Sequence, residues 1–298
     1  MKVVVTGGAG FIGSHLTEYL VKKHQNVTIV DNLKNGKLKN IKNVKKDIKF
    51  VKIDILDYNS LKEIVKNCDC VFHHAALTSV PESFTDSKNY HKTNVTGTEN
   101  ILKLAKKFNF KVIFASSAAV YGNQKQIPIK ENAKKYPLNP YGITKLKAEQ
   151  LCKKYAEKGV SVIVLRYFNV YGLRQNDNYA GVISKFLKNI LKNKPPTING
   201  DGLQIRDFVY VEDVCDANFL AMKSNVKHTF LNIGTGKTKS IKQLASLMLR
   251  IHKMDNKPTY TKMQKGDIRL SQSDIARAQK LLSWKPKTTL SSWLKNNL

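Results

Sequence analysis

The 298-residue chain lacks any apolar run long enough to cross a bilayer. One of its longest, VIVL at 162–165, is far below the roughly 18 residues that a spanning helix needs. The apolar start MKVVVTGGAGFIG has clustered glycines and no small-residue cleavage pattern, so we interpret it as a strand followed by a loop. We therefore expect a cytoplasmic protein that does not associate with membranes.

Cysteine is also scarce. The four cysteines are Cys68, Cys70, Cys152 and Cys215, and they form neither a CxxC motif nor a group with histidine at metal-ligand spacing. We expect free thiols in a reducing compartment and no metal site.

Negative charge is the third shortage. The chain has 22 acidic residues against 51 basic ones, a formal net charge of +29. Nearly all of the basic residues are lysines spread along the chain, and no basic block is interleaved with stacking aromatics. We therefore expect no specific nucleic-acid partner, although such lysines would attract small anions and leave a nucleic-acid-binding role as an alternative. The arginines are Arg166, Arg174, Arg206, Arg250, Arg269 and Arg277.

What the chain does have is a regular alternation of short apolar runs and helical patterns. The predicted strands cover 2–6, 27–31, 48–54, 71–76, 111–117 and 160–167, and segments such as 94–108 and 141–159 read as helices. This alternation predicts an α/β fold with a parallel sheet covered on both faces. After about residue 168 the rhythm loosens, which indicates a smaller C-terminal lobe.

The first strand is followed by TGGAGFIG, in which Gly7, Gly10 and Gly13 open a helix. Glycines allow the backbone to turn tightly and to approach a pyrophosphate at a helix N-terminus. Asp31 ends the second strand, where a carboxylate binds the ribose hydroxyls of NAD and repels the extra phosphate of NADP. We predict NAD as the cofactor. Lys34 and Lys37 leave NADP open, and a tight turn without a ligand is the structural alternative.

The stretch NPYGITK places Tyr141 four positions before Lys145, on one face of a helix. A nearby ammonium and the positive nicotinamide ring would favour the phenolate and so lower the pKa of Tyr141. Ser117 ends a predicted strand, where open α/β sheets bind their ligands. An isolated Tyr-x-x-x-Lys pair would more simply be a surface feature, but here it accompanies a nucleotide loop.

The chain resembles the extended short-chain dehydrogenase/reductases, and within them the NAD-dependent nucleotide-sugar epimerase/dehydratase group. The marks are TGGAGFIG, HHAALTSVPES, NVTGT, SSAAVYG, YGITK, LRYFNVYG, GDGLQIRDFVYVEDV and GDIRLSQSD, in this order along nearly the whole chain. The resemblance implies a Rossmann-type doubly wound NAD-binding domain at 1–168, rejoined by part of 207–235. It also implies a smaller α/β lobe at 169–298 that binds a nucleotide sugar.

The resemblance assigns roles to individual positions. Ser117, Tyr141 and Lys145 are the expected catalytic residues: a proton relay, the base, and the cation that lowers the pKa of the base. Tyr141 and Lys145 are also expected to contact NAD. The other expected cofactor contacts are Phe11 and Ile12 at the pyrophosphate, Asn32 beside Asp31, Asp54 and Ile55 at the adenine, Ala75, Ala76 and Asn94 along the groove, and Phe168 at the nicotinamide.

The two residues after Ser117 narrow the reaction. Relatives that remove water or carbon dioxide carry acidic residues there, whereas this chain has Ala118 and Ala119. We therefore predict C4 epimerisation of a UDP-hexose through a transient 4-keto sugar, with UDP-glucose/galactose as substrates and the N-acetylhexosamine pair as a further option. The alternatives are a UDP-glucuronate 4-epimerase, a 4,6-dehydratase and a non-catalytic NAD-binding regulator. The UDP-glucuronate alternative is less favoured, because relatives that act on UDP-glucuronate usually carry a different sequence where this chain has LRQNDNYAGV at 173–182.

Substrate contacts are predicted in the second half. Asn169, Arg174, Arg206 and Arg269 are expected at the diphosphate, where arginine forms charge-assisted pairs. Val182 begins a run that either walls the uracil or is one apolar helix face. Ser271 occupies a pocket position where a small side chain leaves room for a 2-acetamido group, and Ser79 of HHAALTSVPES is a further candidate.

Relatives commonly form homodimers through a four-helix bundle, so the resemblance implies the same here. The helices would be 90–108 and 141–158, with Ile101, Leu104, Leu146 and Leu151 as candidate contacts, although some of these four must also face the sheet. His74 is expected near the core or the cofactor, and we assign it no catalytic role.

Overall fold

The computed structural model describes residues 1–175, 181–263 and 266–297. Residues 176–180 of the stretch that bears on glucuronate lie outside the described residues. The strands are β1 Lys2–Thr6, β2 Asn26–Val30, β3 Ile48–Val51, β4 Cys70–His73, β5 Lys111–Ser117, β6 Val162–Tyr167, β7 Asn169–Tyr171, β8 Thr197–Asn199, β9 Ile205–Tyr210, β10 His228–Ile233, β11 Thr238–Ser240, β12 Thr259–Thr261 and β13 Leu270–Ser271.

Helices alternate with these strands. The α-helices are α1 Phe11–Lys22, α2 Tyr58–Val65, α3 Val80–Thr85, α4 Ser87–His91, α5 Gly97–Phe108, α6 Pro140–Ala156, α7 Val182–Ile190, α8 Val211–Lys223, α9 Ile241–Ile251, α10 Ala276–Leu282 and α11 Leu290–Asn297. Short 3-10 segments cover Leu38–Val44 and Ala118–Val120, and a π-helical turn covers Lys92–Thr96.

A seven-stranded sheet forms the main domain, in the order β10-β6-β5-β4-β1-β2-β3 with every pairing parallel. Its central strands are apolar on both faces, as a sheet covered by helices on two sides requires. β4, for example, is buried at all four residues. The predicted doubly wound α/β fold is confirmed.

The two faces of the sheet have separate cores. On one face α1 and α8 bury Leu16, Leu20 and Val214, and on the other face α2, α5 and α6 pack their apolar residues. Ile101 and Leu104 of α5 are fully buried in this second core. They face the sheet of their own chain and are not available as dimer contacts, as expected for some of the four candidates. The homodimer itself stays a prediction.

The smaller lobe is built around β9, which pairs with β7, β11 and β13, while β8 and β12 form a separate pair. Its core includes Phe186, Met248 and Trp293. β10 comes from the C-terminal half of the sequence, but it belongs to the large sheet, where it pairs with β6. The exact division of the chain into two domains stays a prediction.

The long segment after β5 joins the two lobes. Ile129 lies in this segment, and its amide donates to the carbonyl of Gln272 at 2.7 Å, while its own carbonyl accepts from Asp274 at 2.9 Å. Nearby, the amide of Arg269 donates to Asn123 Oδ1 at 2.9 Å. These bonds hold the second lobe against the segment that follows β5.

The described helices include none with the length and apolar character needed to span a membrane. The four cysteines are free thiols. Within the described ranges, no three His, Cys, Asp or Glu residues come together as a possible metal site.

Candidate active site

The glycine loop between β1 and α1 follows a path that side chains would block. Gly7 has a φ of +70°, and a Cβ there would lie 2.7 Å from the amide nitrogen of Ala75. A Cβ on Gly13 would lie 2.1 Å from the carbonyl oxygen of Gly7. The loop therefore packs backbone against backbone, leaving the amino end of α1 open to a ligand. That end points into a cleft where the strand order reverses between β1 and β4, the usual ligand position in such sheets.

Asp31 lies directly after β2, and its carboxylate is held in place by backbone amides. It accepts hydrogen bonds from Ala9 at 3.0 Å and from Leu33 at 2.8 Å. Burial raises its pKa above the ordinary value, and the two amides act in the opposite direction. A Cβ on Gly36 would lie 2.8 Å from this carboxylate, so glycine keeps the space beside it clear. The carboxylate is positioned to accept hydrogen bonds from a ribose.

The next wall of the cleft contains Asn32 and Asp54. The Asn32 amide group donates to Asp54 Oδ2 at 2.8 Å, and the backbone amide of Leu56 donates to Asp54 Oδ1 at 2.9 Å. Asp54 is thus fixed where β3 leads into the loop that carries Ile55, and the three predicted residues lie together.

Ser117, Tyr141 and Lys145 converge at the opposite end of the cleft. The Lys145 ammonium donates to the carbonyl of Ala115 at 2.8 Å and lies 5.1 Å from the centre of the Phe114 ring. Ser117 Oγ accepts from the amide of Ala119 at 3.2 Å, which leaves the hydroxyl hydrogen for another acceptor. The end of β5 and the first turns of α6 therefore bring the predicted trio together.

The titration of this trio differs from the expectation in one respect. Burial raises the pKa of Tyr141, and the interaction that opposes burial comes from Ser117. Burial also lowers the pKa of Lys145 to about 8. The predicted lowering of the Tyr141 pKa by Lys145 is not what the protein alone shows, because the phenol is desolvated and the ammonium is bound to a carbonyl. For the site with its cofactor, the effect stays a prediction.

The cleft is a cavity of about 580 Å³ that extends from the glycine loop to the Tyr141 end. Predicted residues that line it are Gly7, Gly10, Phe11, Ile12, Gly13, Asp31, Asn32, Asp54, Ile55, Ala75, Ala76, Ser117, Tyr141, Lys145, Phe168 and Asn169. A volume of this size suits a cofactor or small-molecule ligand.

Asn94 was expected along this groove, but it lies behind the wall. Its side chain accepts from the amide of Leu77 at 2.8 Å and donates to the carbonyl of the same residue at 2.9 Å. It also donates to Thr144 at 3.0 Å, which links the π-helical turn to α6. Asn94 therefore shapes the lining loop at Leu77 and does not face the cavity.

The predicted arginine contacts lie away from the cavity wall. Arg174 has a φ of +69°, and its guanidinium donates to Glu18 at 2.7 Å and to the carbonyl of Asn40 at 3.0 Å. Arg269 forms a two-pronged pair with Asp201, at 2.7 and 2.9 Å. The guanidinium groups of Arg174 and Arg269 are therefore each paired with an acidic side chain of the protein.

Arg206 is more deeply placed, on β9 of the small lobe. It is 8% exposed and pairs with Asp267, and burial lowers its pKa below the ordinary value. Ser271 is buried on β13 directly beside it in register. A diphosphate would have to compete with Asp267 for this arginine.

The remaining residues predicted to contact the substrate make contacts within the protein itself. Ser79 caps α3 by accepting from the amide of Glu82 at 3.3 Å. Val182 packs against the core of the small lobe, together with Ile183 and Phe186. The arrangement therefore follows the apolar helix face that the sequence left as one of two options. Roles for Ser79, Val182 and Ser271 at the substrate stay predictions.

Comparison with known proteins fits this geometry. Residues 3–234 match the model of the NAD dependent epimerase/dehydratase family. A putative UDP-glucose 4-epimerase of Methanocaldococcus jannaschii is 40% identical over 307 residues, with 99% of each chain covered. The chain belongs to the NAD-dependent epimerase/dehydratase family.

Members of this epimerase/dehydratase family with different reactions are similar to the chain. A UDP-N-acetyl-alpha-D-glucosaminuronate decarboxylase of Bacillus cytotoxicus is 36% identical, covering 100% of this chain and 96% of that protein. The crystal structure of a Thermotoga maritima UDP-glucose 4-epimerase with UDP-glucose has a TM-score of 0.94 and 38% identity, covering 99% of this chain and 96% of the other. The family resemblance is thus confirmed.

Several cavity residues were not anticipated as site residues. They are Gly36, Leu77, Thr78, Asn89, Lys92, Thr93 and Tyr167 among others, whereas His74 lies near the cavity as expected. Lys92 and Thr93 directly precede the NVTGT motif, and that proximity was the available signal. His74 stacks on Tyr167 with ring centres 6.0 Å apart, and burial lowers its pKa to about 4. His74 is therefore an uncharged residue of the cavity wall.

Proposed function

We propose that the chain catalyses the reversible C4 epimerisation of a UDP-hexose with bound NAD. The observation that carries the proposal is the position of Ser117, Tyr141 and Lys145 in the same cleft as the glycine loop and its carboxylate. The family match and the similarity to a UDP-glucose 4-epimerase support the substrate class.

The cofactor cleft fits NAD. A side chain at Gly7 or Gly13 would fill the space where the backbone turns, and Asp31 offers a fixed carboxylate for the ribose. We assign the pyrophosphate to the start of α1 and the adenine to the wall formed by Asp54 and Ile55. The chemistry that NAD supplies in such a site is reversible hydride acceptance at C4 of the sugar.

The protein's part is proton transfer. Tyr141 takes the proton of the C4 hydroxyl, directly or through Ser117, and returns it after the sugar has turned its other face to the cofactor. With a pKa of about 8, Lys145 is mainly protonated at pH 7, and its charge favours the phenolate form of Tyr141. The same groups serve both directions, so the reaction needs no external oxidant or reductant.

The carboxylates of the cavity favour epimerisation over dehydration. Among the described residues that line it, the carboxylates are Asp31 and Asp54, and backbone amides hold both at the nucleotide end. Ala118 and Ala119 begin the 3-10 segment after Ser117 and cannot transfer a proton. Removal of the C5 proton with loss of water would need such a group beside the sugar.

A second candidate comes from the decarboxylase of Bacillus cytotoxicus. A 4-keto uronate is a β-keto acid, which can lose carbon dioxide without an added acid or base. The enolate that remains would take a proton from solvent at C5, and the C4 ketone would take back the hydride that it had lost, so a UDP-pentose would form if the pocket accepted a C6 carboxylate. Substrate choice separates the two functions.

The test is to incubate the purified protein with UDP-galactose, UDP-N-acetylgalactosamine and UDP-glucuronate, without added reductant, and to separate the products. We expect the C4 epimer of at least one hexose and no net change in NAD. A UDP-pentose or a stable 4-keto-6-deoxy sugar would contradict the proposal. Tyr141→Phe should retain NAD and lose on the order of a thousandfold in kcat, and unchanged turnover would remove Tyr141 from its role.

A further inference from the structure

Three successive residues of β5 contact one face of α6. The carbonyl of Ala115 accepts from Lys145 at 2.8 Å, and Ser116 Oγ donates to Glu149 Oε1 at 2.6 Å. Ser117 is the third, and its interaction with Tyr141 opposes the rise in the pKa of that phenol that burial causes. The helix residues Tyr141, Lys145 and Glu149 are four positions apart, so they lie on one face. We call these three contacts the strand–helix ladder.

Glu149 is the deepest member of this ladder. It is 2% exposed, and Arg166 of the neighbouring strand β6 is 1% exposed. The guanidinium binds both carboxylate oxygens, with Nε to Oε1 at 2.8 Å and Nη2 to Oε2 at 2.7 Å. Burial opposes the charge of Arg166, but its hydrogen bonds and charge interaction with Glu149 raise its pKa above the ordinary value. Such a two-pronged pair holds the carboxylate in one orientation.

Arg166 is itself fixed from its other side. Nη1 donates to the hydroxyl of Tyr121 at 2.8 Å and to the carbonyl of Glu131 at 2.8 Å. The Tyr121 hydroxyl in turn donates to Asn232 of β10 at 2.6 Å. The position of Glu149 is therefore set by residues from β6, β10 and the segment after β5, and not by α6 alone.

The charge of Glu149 also bears on Lys145, one helical turn away. The titratable groups around the ammonium are Tyr141, Glu149 and Cys152 on its own helix, His73 at the end of β4 and His74 beyond it, with Arg166 reaching it through Glu149.

Most of these groups carry no charge near pH 7. Burial lowers the pKa of His73 to about 3 and that of His74 to about 4, so both are neutral. Burial raises the pKa of the Cys152 thiol, which is also neutral. For Lys145, burial lowers the pKa to about 8, while Cys152 and Glu149 act in the opposite direction. Since the thiol is uncharged, the negative charge available to this lysine is that of Glu149.

We propose that Glu149 is a positioning residue for the epimerisation proposed above, on which this inference rests. Held by Arg166 and Ser116, it fixes the register of α6 on β5 so that Tyr141 meets Ser117, and its carboxylate keeps the ammonium of Lys145 protonated. It does so without lining the cavity itself; the members of the ladder that line the cavity are Ala115, Ser116, Ser117, Tyr141 and Lys145.

The first experiment needs no substrate. The titration of the Lys145 side chain is followed by NMR of isotope-labelled lysine, with the signal assigned by its loss in Lys145→Met. We expect a midpoint near 8 in the native protein, and one lower by about half a pH unit or more in Glu149→Gln. Glu157→Gln is the matched control, because Glu157 lies exposed at the end of the same helix. A folded Glu149→Gln protein with an unchanged midpoint would overturn the electrostatic part.

The second experiment measures activity against pH. Glu149→Gln should lower kcat by on the order of tenfold and move the alkaline limb of the kcat profile down by the shift seen in the NMR midpoint, with KM little changed. A loss of kcat without movement of the limb would mean a merely structural role and would contradict the proposal. Ser116→Ala, which leaves the ion pair intact, should lower kcat by about threefold and leave the limb in place.

A third variant covers the case in which Glu149→Gln does not fold. Glu149→Asp keeps the charge but withdraws it from Ser116, so we expect a lower kcat with the limb unmoved, and a native kcat would overturn the positioning part. Failure of the proposed function is distinguishable. If the native protein epimerises no UDP-sugar but the lysine midpoint still shifts, the link between Glu149 and Lys145 stands and the function falls.

Discussion

The glycine loop and the small lobe differ in how closely their site residues match the sequence-based expectation. The loop residues and Asp31 all line the cleft, whereas Arg174, Arg206 and Arg269 are paired with Glu18, Asp267 and Asp201. In the loop, function depends on the path of the backbone. In the small lobe it depends on where long, charged side chains point, and those adapt to any nearby acid.

The largest effect is expected from a side chain in the loop. Gly13→Ala places a methyl group 2.1 Å from the carbonyl of Gly7, so the loop must shift. We expect NAD to bind about a hundredfold more weakly, roughly 3 kcal/mol. Calorimetric titration with NAD measures this. Gly181→Ala is the control, because among the described residues its Cβ would meet nothing closer than 3.6 Å. Equal affinity in the two variants would break the claim that the backbone path is decisive.

The glycine loop and the small lobe also differ in the charge of their buried polar groups, since His73, which lies beneath the loop, is neutral and Arg206 of the small lobe is charged. The Thr6 hydroxyl lies 2.7 Å from His73 Nδ1, and His73 Nε2 lies 3.0 Å from the Thr98 hydroxyl. Thr98 donates to the carbonyl of Asn94 at 2.7 Å, so His73 donates through Nε2 and accepts at Nδ1. Both ring nitrogens are satisfied by the uncharged form.

This neutral histidine predicts an acid-sensitive stability. Its pKa is about 3 in the folded protein and about 6.5 unfolded, so the stabilisation is complete above pH 6.5 and is lost as pH falls towards 3. At pH 5 the loss is about 2 kcal/mol. Urea unfolding at pH 7.5 and pH 5 should show at least this difference in the native protein and in His24→Asn, whose side chain is exposed. It should be smaller by about 2 kcal/mol in His73→Gln, where the contribution of His74 remains, and a difference as large as that of the native protein would assign the acid sensitivity elsewhere.

The smallest effect concerns the arginines of the second region. Arg206→Ala should raise KM for the UDP-sugar by about tenfold, because a charge-assisted bond to the diphosphate contributes about 1.5 kcal/mol or more. Arg174→Ala should leave KM unchanged, since its guanidinium is held by Glu18 and the carbonyl of Asn40. Steady-state kinetics decide between them. If Arg174→Ala raises KM instead, the side chain changes partners on binding and the observed pairing is not the functional one.

Features that depend on residues adjacent in sequence were easier to predict than features that depend on contacts between residues far apart in the chain. The strand–loop–helix at Gly7 to Gly13 was predictable because glycine spacing and the flanking strand are adjacent in sequence. Asn94 was expected to line the cavity but lies behind its wall. The motif gives the position of Asn94 along the chain but not the direction of its side-chain amide, which is hydrogen-bonded to the backbone of Leu77. The sequence could not show which of the four apolar candidates for the dimer contact face the sheet, because a helix pattern shows an apolar face without showing what covers it. The structure buries Ile101 and Leu104 against the sheet.

The resemblance to the family supplied the expected role of Ser117. By itself the sequence determined the α/β class, the glycine loop, the acid after the second strand and the one-turn spacing of Tyr141 and Lys145. Each depends on local spacing and backbone preference, which neighbouring residues define. Only the tertiary structure decided that Glu149 and Arg166 pair beneath the trio, that His73 is neutral, and that the arginines of the small lobe have acid partners. Those outcomes arise from desolvation and from contacts between residues far apart in the chain, and no local pattern records them.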